Sequence, residues 1–341
     1  MAQRARIQVG FLSYGRSTAK YLPDFLASLA KQSCQDLVIV NYDNTPECED
    51  NPNQLALRDF PLVTRYSSGV NLGFAKAYNY LIDLAIKAEA DYFLVINPDT
   101  VLQPEAIAKL VEHLDSHPEV AAAVPKILRW DFVHQELTDF VDSLGVVIGR
   151  DGSFVDDQQG KIDDQIKEVQ PIFGFSGAAV LLRLAALKEV AFANGQNSEY
   201  FDELMFMYKE DCDLSYRLRL AGWQIDLVPT ATVYHDRTAA KKGRSIFGQL
   251  WSRRKTSRLI RGWSITHQLV IFLKYYRLPK LTSTKYREIF YELKRLIAAI
   301  IFEPGTLPYL FKVWQKRSDI KKRQEALVIK IDPLAIEKWR R

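Results

Sequence analysis

Two hydrophobic periods alternate along the first 125 residues. Short apolar runs, each long enough for one strand, occur at 7–13, 37–41, 62–66, 92–96 and 120–124. Between them, apolar residues recur every three or four positions, as they do on one face of a helix. Runs without polar alternation are typical of parallel strands covered by helices on both sides. The pattern therefore predicts an α/β fold with a doubly wound, mostly parallel sheet flanked by helices.

Apolar faces also indicate where the main helices lie. One helix is predicted over Tyr21–Gln32, a second after Asn71, and a third from about Pro104, because proline is favoured at the first helical position. A fourth begins within Tyr208–Asp213 and ends before Gly222, a residue suited to the position just past a helix.

The middle of the chain is less regular. Residues 145–160 are rich in glycine and aspartate and predict a hairpin or a mobile loop. Residues 172–182 predict a loop followed by a buried strand or helix, and residues 224–228 and 231–234 predict two short strands.

Four polar clusters follow the predicted strands or open the predicted helices: Ser13-Tyr14-Gly15-Arg16, Asp43-Asn44, Asn71-Leu72-Gly73-Phe74 and Asn97-Pro98-Asp99. All four belong on one edge of one sheet, where open α/β folds bind their ligands. Pro98 cannot continue a central strand, so the chain leaves the sheet there and delivers the Asp99 carboxylate to that edge. An acid in this place can hold a divalent cation and, through it, a diphosphate. A helix cap near Pro104 is the alternative for Asp99.

Together these clusters resemble the nucleotide-sugar half of the family 2 glycosyltransferases, which have the GT-A fold. The Asn71–Asn79 run and the Asn97–Thr100 run look most like the rhamnosyltransferase-like branch, and Glu210-Asp211 with the later Gly222-Trp223 matches the family's second signature. The resemblance covers about residues 5–240, and the combination of motifs in this order is specific where no single motif is.

The resemblance implies a set of donor-binding residues. Tyr14 and Asp43 would border the base and ribose, and a carboxylate can accept hydrogen bonds from both. Gly73 would permit a close approach of the loop to the ligand. A turn cap at Asp43 and a plain helix N-cap at Asn71 are the alternatives. The implied donor-nucleotide residues are Ser13, Tyr14, Asp43, Asn71, Gly73, Asn97 and Asp99.

Asp99 matches the metal-binding acid of the family, whereas Asn97 replaces the first acid of its motif, as is typical of this branch. The cation, Mg²⁺ or Mn²⁺, then needs a further ligand. His235 is a candidate because some family members use a histidine after this strand, although a structural role is an equal alternative. His113, His117, His134 and His267 are predicted to be ordinary surface residues.

Glu210-Asp211 matches the family's acid pair, whose second member is the general base. Sugar transfer needs the acceptor hydroxyl to lose its proton as it attacks, and one positioned carboxylate can accept it. One base and one cation imply a single displacement with inversion. Acids that only stabilise a helix N-terminus are the alternative. Gly174, Ser176 and Gly177 are implied to lie beneath the sugar, between donor and acceptor, and a tight turn without ligand contact is the alternative.

Charged residues are distributed unevenly along the chain. Residues 241–341 contain 25 lysines and arginines against 7 acids, whereas residues 1–240 contain 21 against 34. Tryptophan and tyrosine alternate with the basic residues of this tail, which is the mark of helices in a membrane interface. Leu269–Leu273 and Leu296–Phe302 are too short to span a bilayer but could enter the headgroup layer. A basic tail packed on the catalytic body is the alternative, and no nucleic-acid module is matched.

The three cysteines form neither a zinc pattern nor a disulfide framework, and the N-terminus has no apolar signal core. We therefore expect an enzyme on the cytoplasmic side, peripheral at the inner face of the cell membrane.

Two parts are expected along the chain. Residues 1–240 would form the GT-A domain, with a nucleotide-sugar half to about 125 and an acceptor half over 126–240, and residues 241–341 would form the membrane-associating helical tail.

The expected function is an inverting, metal-dependent glycosyltransferase that moves a sugar, with rhamnose from dTDP-rhamnose preferred, to a lipid-linked or polysaccharide acceptor in cell-surface glycan synthesis. The alternatives are a UDP-sugar-dependent transferase, with a galactofuranose or N-acetylhexosamine donor, and a non-catalytic membrane scaffold.

Overall fold

A ten-stranded sheet lies at the centre of the computed structural model, which describes residues 7–34, 36–195, 197–237 and 257–341. The described residues form fourteen strands, ten of them in this sheet: β1 Ile7–Ser13, β2 Leu37–Asp43, β3 Val63–Ser67, β4 Tyr92–Ile96, β5 Thr100–Leu102, β6 Val120–Asp131, β7 Glu136–Ser143, β8 Val146–Ile148, β9 Phe154–Asp156, β10 Gln170–Pro171, β11 Ala179–Arg183, β12 Phe192–Asn194, β13 Asn197–Glu199 and β14 Gln224–His235. Strands β8 and β9 form one separate two-stranded sheet, and β12 and β13 form another.

Helices cover the sheet and form the C-terminal region. They are α1 Gly15–Ala19, α2 Leu22–Ala30, α3 Pro52–Ala56, α4 Gly73–Lys87, α5 Ala106–Ser116, α6 Leu184–Val190, α7 Glu210–Leu220, α8 Arg258–Tyr275, α9 Thr282–Phe302, α10 Leu307–Gln315 and α11 Arg317–Glu325, with 3-10 turns at Leu57–Asp59, Pro304–Thr306 and Pro333–Trp339.

The sheet has the order β10-β14-β6-β11-β4-β1-β2-β3. Strands β4, β1, β2 and β3 are parallel to one another, and so are β6 and β14, while β11 runs antiparallel between β4 and β6. The two short strands predicted over 224–234 form one strand, β14, which contains an irregularity between Val228 and Thr232. Residues 145–160 contain the antiparallel hairpin of β8 and β9, and residues 179–183 form a strand rather than a helix.

Alternate residues of the central strands point into two separate cores. Phe93 and Val95 pack with α4, α6 and α7, whereas Leu94 and Ile96 pack with α2 and α5 on the other face. Burial on both faces explains why these strands read as continuous apolar runs. Helix α5 begins at Ala106 with Glu105 at its N-cap, so Pro104 lies just before the helix rather than inside it.

The described part of the tail packs on the catalytic body. The backbone N–H of Lys330 donates to the carbonyl of Leu220, and that of Arg341 donates to Ile148. The predicted boundary near 241–243, and the tail residues Phe247, Leu250, Trp251 and 253–255, lie outside the described residues. Within the described ranges no single helix is long and apolar enough to cross a membrane. Helices α9 and α10 together pass that test but are bent by 110° at their junction.

Candidate active site

Three of the four polar clusters contact one another at the carboxyl edge of the sheet. Ser13 and Asp43 are register partners at the ends of β1 and β2. The Asn44 side chain crosses to the next loop, where its Nδ2 donates to Gly73 O at 3.1 Å and its Oδ1 accepts from Leu72 N at 2.9 Å. Parallel strands therefore place these loops side by side, as the sequence pattern predicts.

Asp43 organises the turn that follows β2. Its Oδ1 accepts from the backbone N–H and the hydroxyl of Thr45, at 3.0 and 2.6 Å, and its Oδ2 accepts from Asn51 Nδ2 at 2.8 Å. These contacts match the turn role considered as its alternative. The same residue borders an open cavity of about 340 Å³, so the two roles are compatible. The cavity is lined by Asn41, Asp43, Gln54, Leu57, Arg65, Tyr66 and Ser67.

The other residues at this edge differ in exposure. Ser13 is fully buried with its Oγ 3.3 Å from Asn41 Oδ1, whereas the Tyr14 side chain is about half exposed. Asn71 accepts from Gly73 N at 2.8 Å, although Leu72 rather than Asn71 is the N-cap of α4.

Gly73 has a left-handed backbone, and a Cβ there would overlap the carbonyl oxygen of Phe206. Phe74 N donates to that same oxygen at 2.8 Å. The close approach that Gly73 permits is thus made by the backbone of Phe206, four residues before Glu210. Only glycine avoids both the strained conformation and this overlap, so the loop at residues 71–73 is fixed to the segment that leads to the acid pair.

Asp99 and His235 are neighbours although 136 positions separate them in the sequence. Strand β14 pairs with β5 so that His235 lies opposite Thr100, and His235 Nε2 is 3.3 Å from Asp99 Oδ1. The other ring nitrogen, Nδ1, lies 2.8 Å from Asp142 Oδ2. A histidine held at one nitrogen by a carboxylate, with its second nitrogen directed elsewhere, has the arrangement common among metal-binding histidines.

The electrostatics of His235 follow from these two acids. Burial alone would lower the pKa of His235, but the carboxylates of Asp99 and Asp142 outweigh burial and raise the pKa to about 10. Arg237 extends the network, with guanidinium contacts to Asp142 at 3.3 Å and Asp156 at 2.9 Å. Within the described ranges no group of three or more His, Cys, Asp or Glu side chains is arranged around one point that could hold a metal ion.

The donor set at Asp99 and His235 nevertheless fits a divalent cation. Mg²⁺ and Mn²⁺ sites in phosphate-transferring enzymes often use one or two protein side chains and take their remaining ligands from phosphates and water. Asp99 supplies a carboxylate that is a quarter exposed, and His235 would supply Nε2 once a bound cation displaces the proton that this nitrogen shares with Asp99.

Asp211 lies at the start of α7 and faces the small-residue loop. Its Oδ2 accepts from Gly177 N at 3.0 Å, and its Oδ1 accepts from Cys212 N at 2.7 Å. The next residue of that loop, Ala178, accepts from Asn97 N at 2.9 Å. The loop therefore links the base candidate directly to the end of β4, where Asp99 lies.

Gly174 and Ser176 lie on the same loop but have different contacts. A Cβ at Gly174 would press on Ser215, one turn along α7, so the absence of a side chain there permits close packing. The Oγ of Ser176 lies 3.4 Å from Ala178 N, and the side chain is partly exposed.

Burial shapes the protonation of the acid pair. It raises the pKa of Asp211, although hydrogen bonds from Gly177 and Cys212 oppose the rise. Burial, together with the nearby Asp211 carboxylate, raises the pKa of Glu210 well above its usual range. Glu210 is 4% exposed, and its Oε2 has no hydrogen-bond partner in the part of the chain that the structure describes. Of the two acids, Glu210 therefore keeps its proton to the higher pH, and Asp211 is the member of the pair that ionises first.

Two of the histidines predicted to lie on the surface are buried. His113 Nε2 lies 2.9 Å from Asp226 on β14, and His267 of α8 is 4% exposed with its Nδ1 3.0 Å from Tyr208 O. Each packs against a partner distant in sequence, which periodicity alone does not indicate. Asp142, Arg237 and Arg65 also border the site, and the sequence pattern gave no signal for them.

This arrangement defines a GT-A glycosyltransferase. A model of the glycosyl transferase family group 2 matches residues 92–278, and the chain belongs to that family. The family and fold expected from the sequence are therefore confirmed. A curated relative is the N-acetylglucosaminyl-diphospho-decaprenol L-rhamnosyltransferase of Mycobacterium tuberculosis, 28% identical over 258 residues, which cover 71% of this chain and 80% of the relative.

Two solved structures share the fold at low identity. The mannosyltransferase PcManGT from Pyrobaculum calidifontis, in complex with GDP-Man and Mn²⁺, is 15% identical with a TM-score of 0.52, covering 96% of this chain and 86% of that one. GalNAc-T7 with UDP, GalNAc and Mn²⁺ is 13% identical with a TM-score of 0.51, covering 84% of this chain and 54% of that one. Both likenesses concern the fold alone.

Proposed function

We propose that the protein is an inverting glycosyltransferase that moves rhamnose from dTDP-rhamnose to a lipid-linked saccharide in the synthesis of a cell-surface glycan. The family supports sugar transfer, and the curated relative, whose name describes a decaprenol-linked acceptor and an L-rhamnosyl group, supports this donor and acceptor. The observation that carries the proposal is the Asp211 carboxylate, held by Gly177 on the loop that also bonds Asn97.

Asp211 acts as the general base. A carboxylate has about four lone-pair sites, and two amide donors leave acceptor capacity for the proton of an attacking hydroxyl. Its raised pKa makes it a stronger acceptor near neutral pH. Glu210 ionises less readily than Asp211, so Asp211 is the single base of this mechanism, which fits a single displacement with inversion. Gly174, Ser176 and Gly177 form the floor beneath the transferred sugar.

The donor nucleotide lies along the carboxyl edge. The base and ribose lie against Tyr14 and in the cavity beside Asp43, with the loop at Asn71 and Gly73 on one side. Ser13 lies behind this surface, and Asn97 borders the diphosphate. Asp99 and His235 would hold the divalent cation, and a bound cation would supply positive charge to neutralise the leaving diphosphate.

In this proposal the tail binds an anionic membrane, and the enzyme is peripheral at the cytoplasmic side of the cell membrane. The outward face of α9 is a stripe of exposed apolar side chains at helical spacing, which we call the α9 stripe. It consists of Tyr286, Phe290, Leu293, Ile297 and Ile301. Exposed Arg287 and Lys294 flank it, and α10 carries a further pair of exposed, stacked rings, Phe311 and Trp314. Apolar residues flanked by cations are suited to an anionic interface.

A panel of donors tests the reaction. The purified protein is given dTDP-rhamnose, UDP-galactofuranose or UDP-N-acetylglucosamine with Mn²⁺ and a polyprenyl-diphospho-N-acetylglucosamine acceptor, and nucleotide release is measured. We expect nucleotide release only when dTDP-rhamnose and the acceptor are both present. NMR of the product should show an anomeric configuration opposite to that of the donor. Preference for a UDP-sugar would establish the alternative donor. Absence of both release and thermal stabilisation by any nucleotide would indicate a non-catalytic scaffold.

A further inference from the structure

The segment that precedes Asp211 has an unusual backbone. Tyr208 and Lys209 are consecutive non-glycine residues with left-handed φ angles of 72° and 78°. Such conformations persist only where the surroundings impose them, and they cluster at functional sites. The N–H of Asp213 donates to Lys209 O at 3.0 Å, so this turn sets the direction in which α7 starts.

One face of α8 runs along this segment and contacts it at successive turns. The Trp263 ring lies 4.8 Å from the ring of Phe206, and His267 Nδ1 lies 3.0 Å from the carbonyl oxygen of Tyr208. Further along, Lys274 Nζ contacts Asp213 Oδ1 at 2.6 Å. The positions 263, 267, 271 and 274 are three or four residues apart, so they share one helical face.

His267 makes the contact nearest to the strained turn. A carbonyl oxygen can only accept, so Nδ1 must carry the hydrogen of this bond. Burial lowers the pKa of His267 to about 4, and the neutral Nδ1–H form is therefore the one present at pH 7. A neutral, buried imidazole fixes the Tyr208 carbonyl without placing the positive charge of an imidazolium beside the acid pair.

We propose that His267 is a positioning residue for catalysis, which holds the left-handed Tyr208-Lys209 turn and so aims the Asp211 carboxylate. Helix α8 is then part of the active site as well as the start of the tail. This inference rests on the proposed role of Asp211. It goes beyond that role because it assigns a catalytic contribution to a residue outside the proposed substrate contacts.

Two substitutions separate positioning from packing. His267→Asn retains an amide N–H close to the place of Nδ1, whereas His267→Leu keeps a similar volume without a donor. We expect His267→Leu to lower kcat about 10- to 100-fold, the scale of a small misplacement of a catalytic group, with the KM for dTDP-rhamnose unchanged. His267→Asn should recover most of the turnover. Leu273→Ala, at a 40% exposed position of the same helix, is the matched control and should change neither.

Hydrogen exchange and NMR give readouts that do not depend on the donor. In His267→Leu the amides of residues 206–213 should exchange faster, and in His267→Asn they should not. In the wild-type protein the ¹⁵N shifts of His267, assigned by comparison with His267→Asn, should show the Nδ1–H tautomer, uncharged down to about pH 5.

The outcomes distinguish this inference from the proposed function. A His267→Leu variant with unchanged kcat, equal loss in both variants, or a His267 that shows the Nε2–H tautomer would overturn the positioning role. A wild-type protein that is inactive with the tested pair would overturn the proposed substrates, and exchange and NMR would then decide whether His267 holds the turn.

Discussion

Asp211 combines two properties that a general base needs, a fixed direction and a raised pKa. Its two oxygens each accept one backbone N–H, and burial disfavours its charge. Replacing the carboxylate with an amide keeps the shape and removes the proton acceptor.

We therefore predict that Asp211→Asn lowers kcat by about 10²- to 10⁴-fold, the usual contribution of general-base catalysis. The Kd for dTDP-rhamnose, measured by calorimetry with Mn²⁺, should stay unchanged because the proposed nucleotide contacts lie on other loops. Near-normal transfer by this variant would remove Asp211 from the mechanism.

Asp99 gives a second prediction at the same scale. Asp99→Ala should abolish the Mn²⁺-dependent part of dTDP binding, because it removes the only carboxylate that faces His235 Nε2 within the described residues. Calorimetry with and without Mn²⁺ measures this, and equal dTDP affinity in the two conditions for the wild-type protein would contradict the metal assignment. Leu62→Ala, at an exposed apolar position, is a suitable control.

His267 should make stability depend on pH. The unfolded chain takes up a proton on this histidine below about pH 6.5, but the folded protein does so only near pH 4. Protonation therefore favours the unfolded state in this window, and stability is lost as pH falls. We expect His267 to account for a decrease of about 2 kcal/mol in the free energy of unfolding from pH 6.5 to 5, at roughly 1.4 kcal/mol per pH unit.

Urea unfolding of the wild-type protein and of His267→Asn at both pH values measures how far His267 contributes to this decrease in the free energy of unfolding. The variant should show the smaller decrease. A parallel decrease in both proteins would mean that His267 is accessible to solvent or bound to a different partner.

Sequence and structure agree best where a residue's role depends on its neighbours in the chain. Asp99 follows a buried strand and a proline, so its position at the sheet edge was predictable. Asp142 could not be found in this way, because it reaches His235 across 93 residues through the pairing of β7 with β6 and of β6 with β14. His267 looked like a surface residue because periodicity does not show which side of a helix the body covers.

At the scale of elements, the strongest link is the buried junction of α7 and α8. Lys274 is fully buried and contacts Asp202 and Asp213, and Asp213 also accepts from Tyr275 and Arg217. Breaking a buried ion pair by removing one partner leaves an uncompensated charge and typically costs about 3–5 kcal/mol.

Lys274→Met should accordingly destabilise the protein by about 3 kcal/mol, since Arg217 and Arg323 remain as partial compensation. Lys321→Met is the matched control: Lys321 is exposed and lies 3.7 Å from Glu325, and such surface pairs contribute about 0–1 kcal/mol. Urea unfolding compares the two. Equal, small effects would show that Lys274 reaches solvent.

The same junction should affect acid stability. Burial disfavours the charge of Asp202, but Lys274 and Arg323 outweigh it and lower the pKa of Asp202. This contribution is present above the unfolded pKa near 4 and is lost as pH falls below it. Lys274→Met should therefore flatten the decrease in stability below pH 4.

At the scale of the whole molecule, the tail has two different faces. Residues 269–273 were expected to enter the headgroup layer, but Val270 and Ile271 are buried within the protein. The α9 stripe, in contrast, faces outward. The sequence showed that the tail is basic, aromatic and helical, but helix periodicity alone could not show which apolar residues the body covers.

We predict that replacing Phe290, Ile297 and Ile301 together with serine reduces co-sedimentation with anionic vesicles and leaves the free energy of unfolding nearly unchanged. Binding of the wild-type protein should weaken with salt without vanishing, because basic residues each contribute about 1 kcal/mol that salt screens, while apolar insertion is insensitive to salt.

The control replaces exposed apolar residues elsewhere, Leu62, Val133 and Ile162, with serine. Equal loss in both triple variants, or equal weak binding of the wild type to neutral and anionic vesicles, would contradict the membrane surface. Deleting the tail is a poorer test, because it would also remove Lys274, the buried ion-pair partner of Asp202 and Asp213.

The separation of 61 residues between Asp213 and Lys274 has a consequence for biosynthesis. In a growing chain, α7 leaves the ribosome well before α8 does, and chains fold as they emerge. We expect the 202–213 segment of nascent chains arrested before residue 275 to remain sensitive to protease, and to become resistant once the tail has emerged. Catalytic activity would then be the last property that the newly synthesised enzyme acquires. A prematurely terminated chain would bind the nucleotide sugar without transferring its sugar.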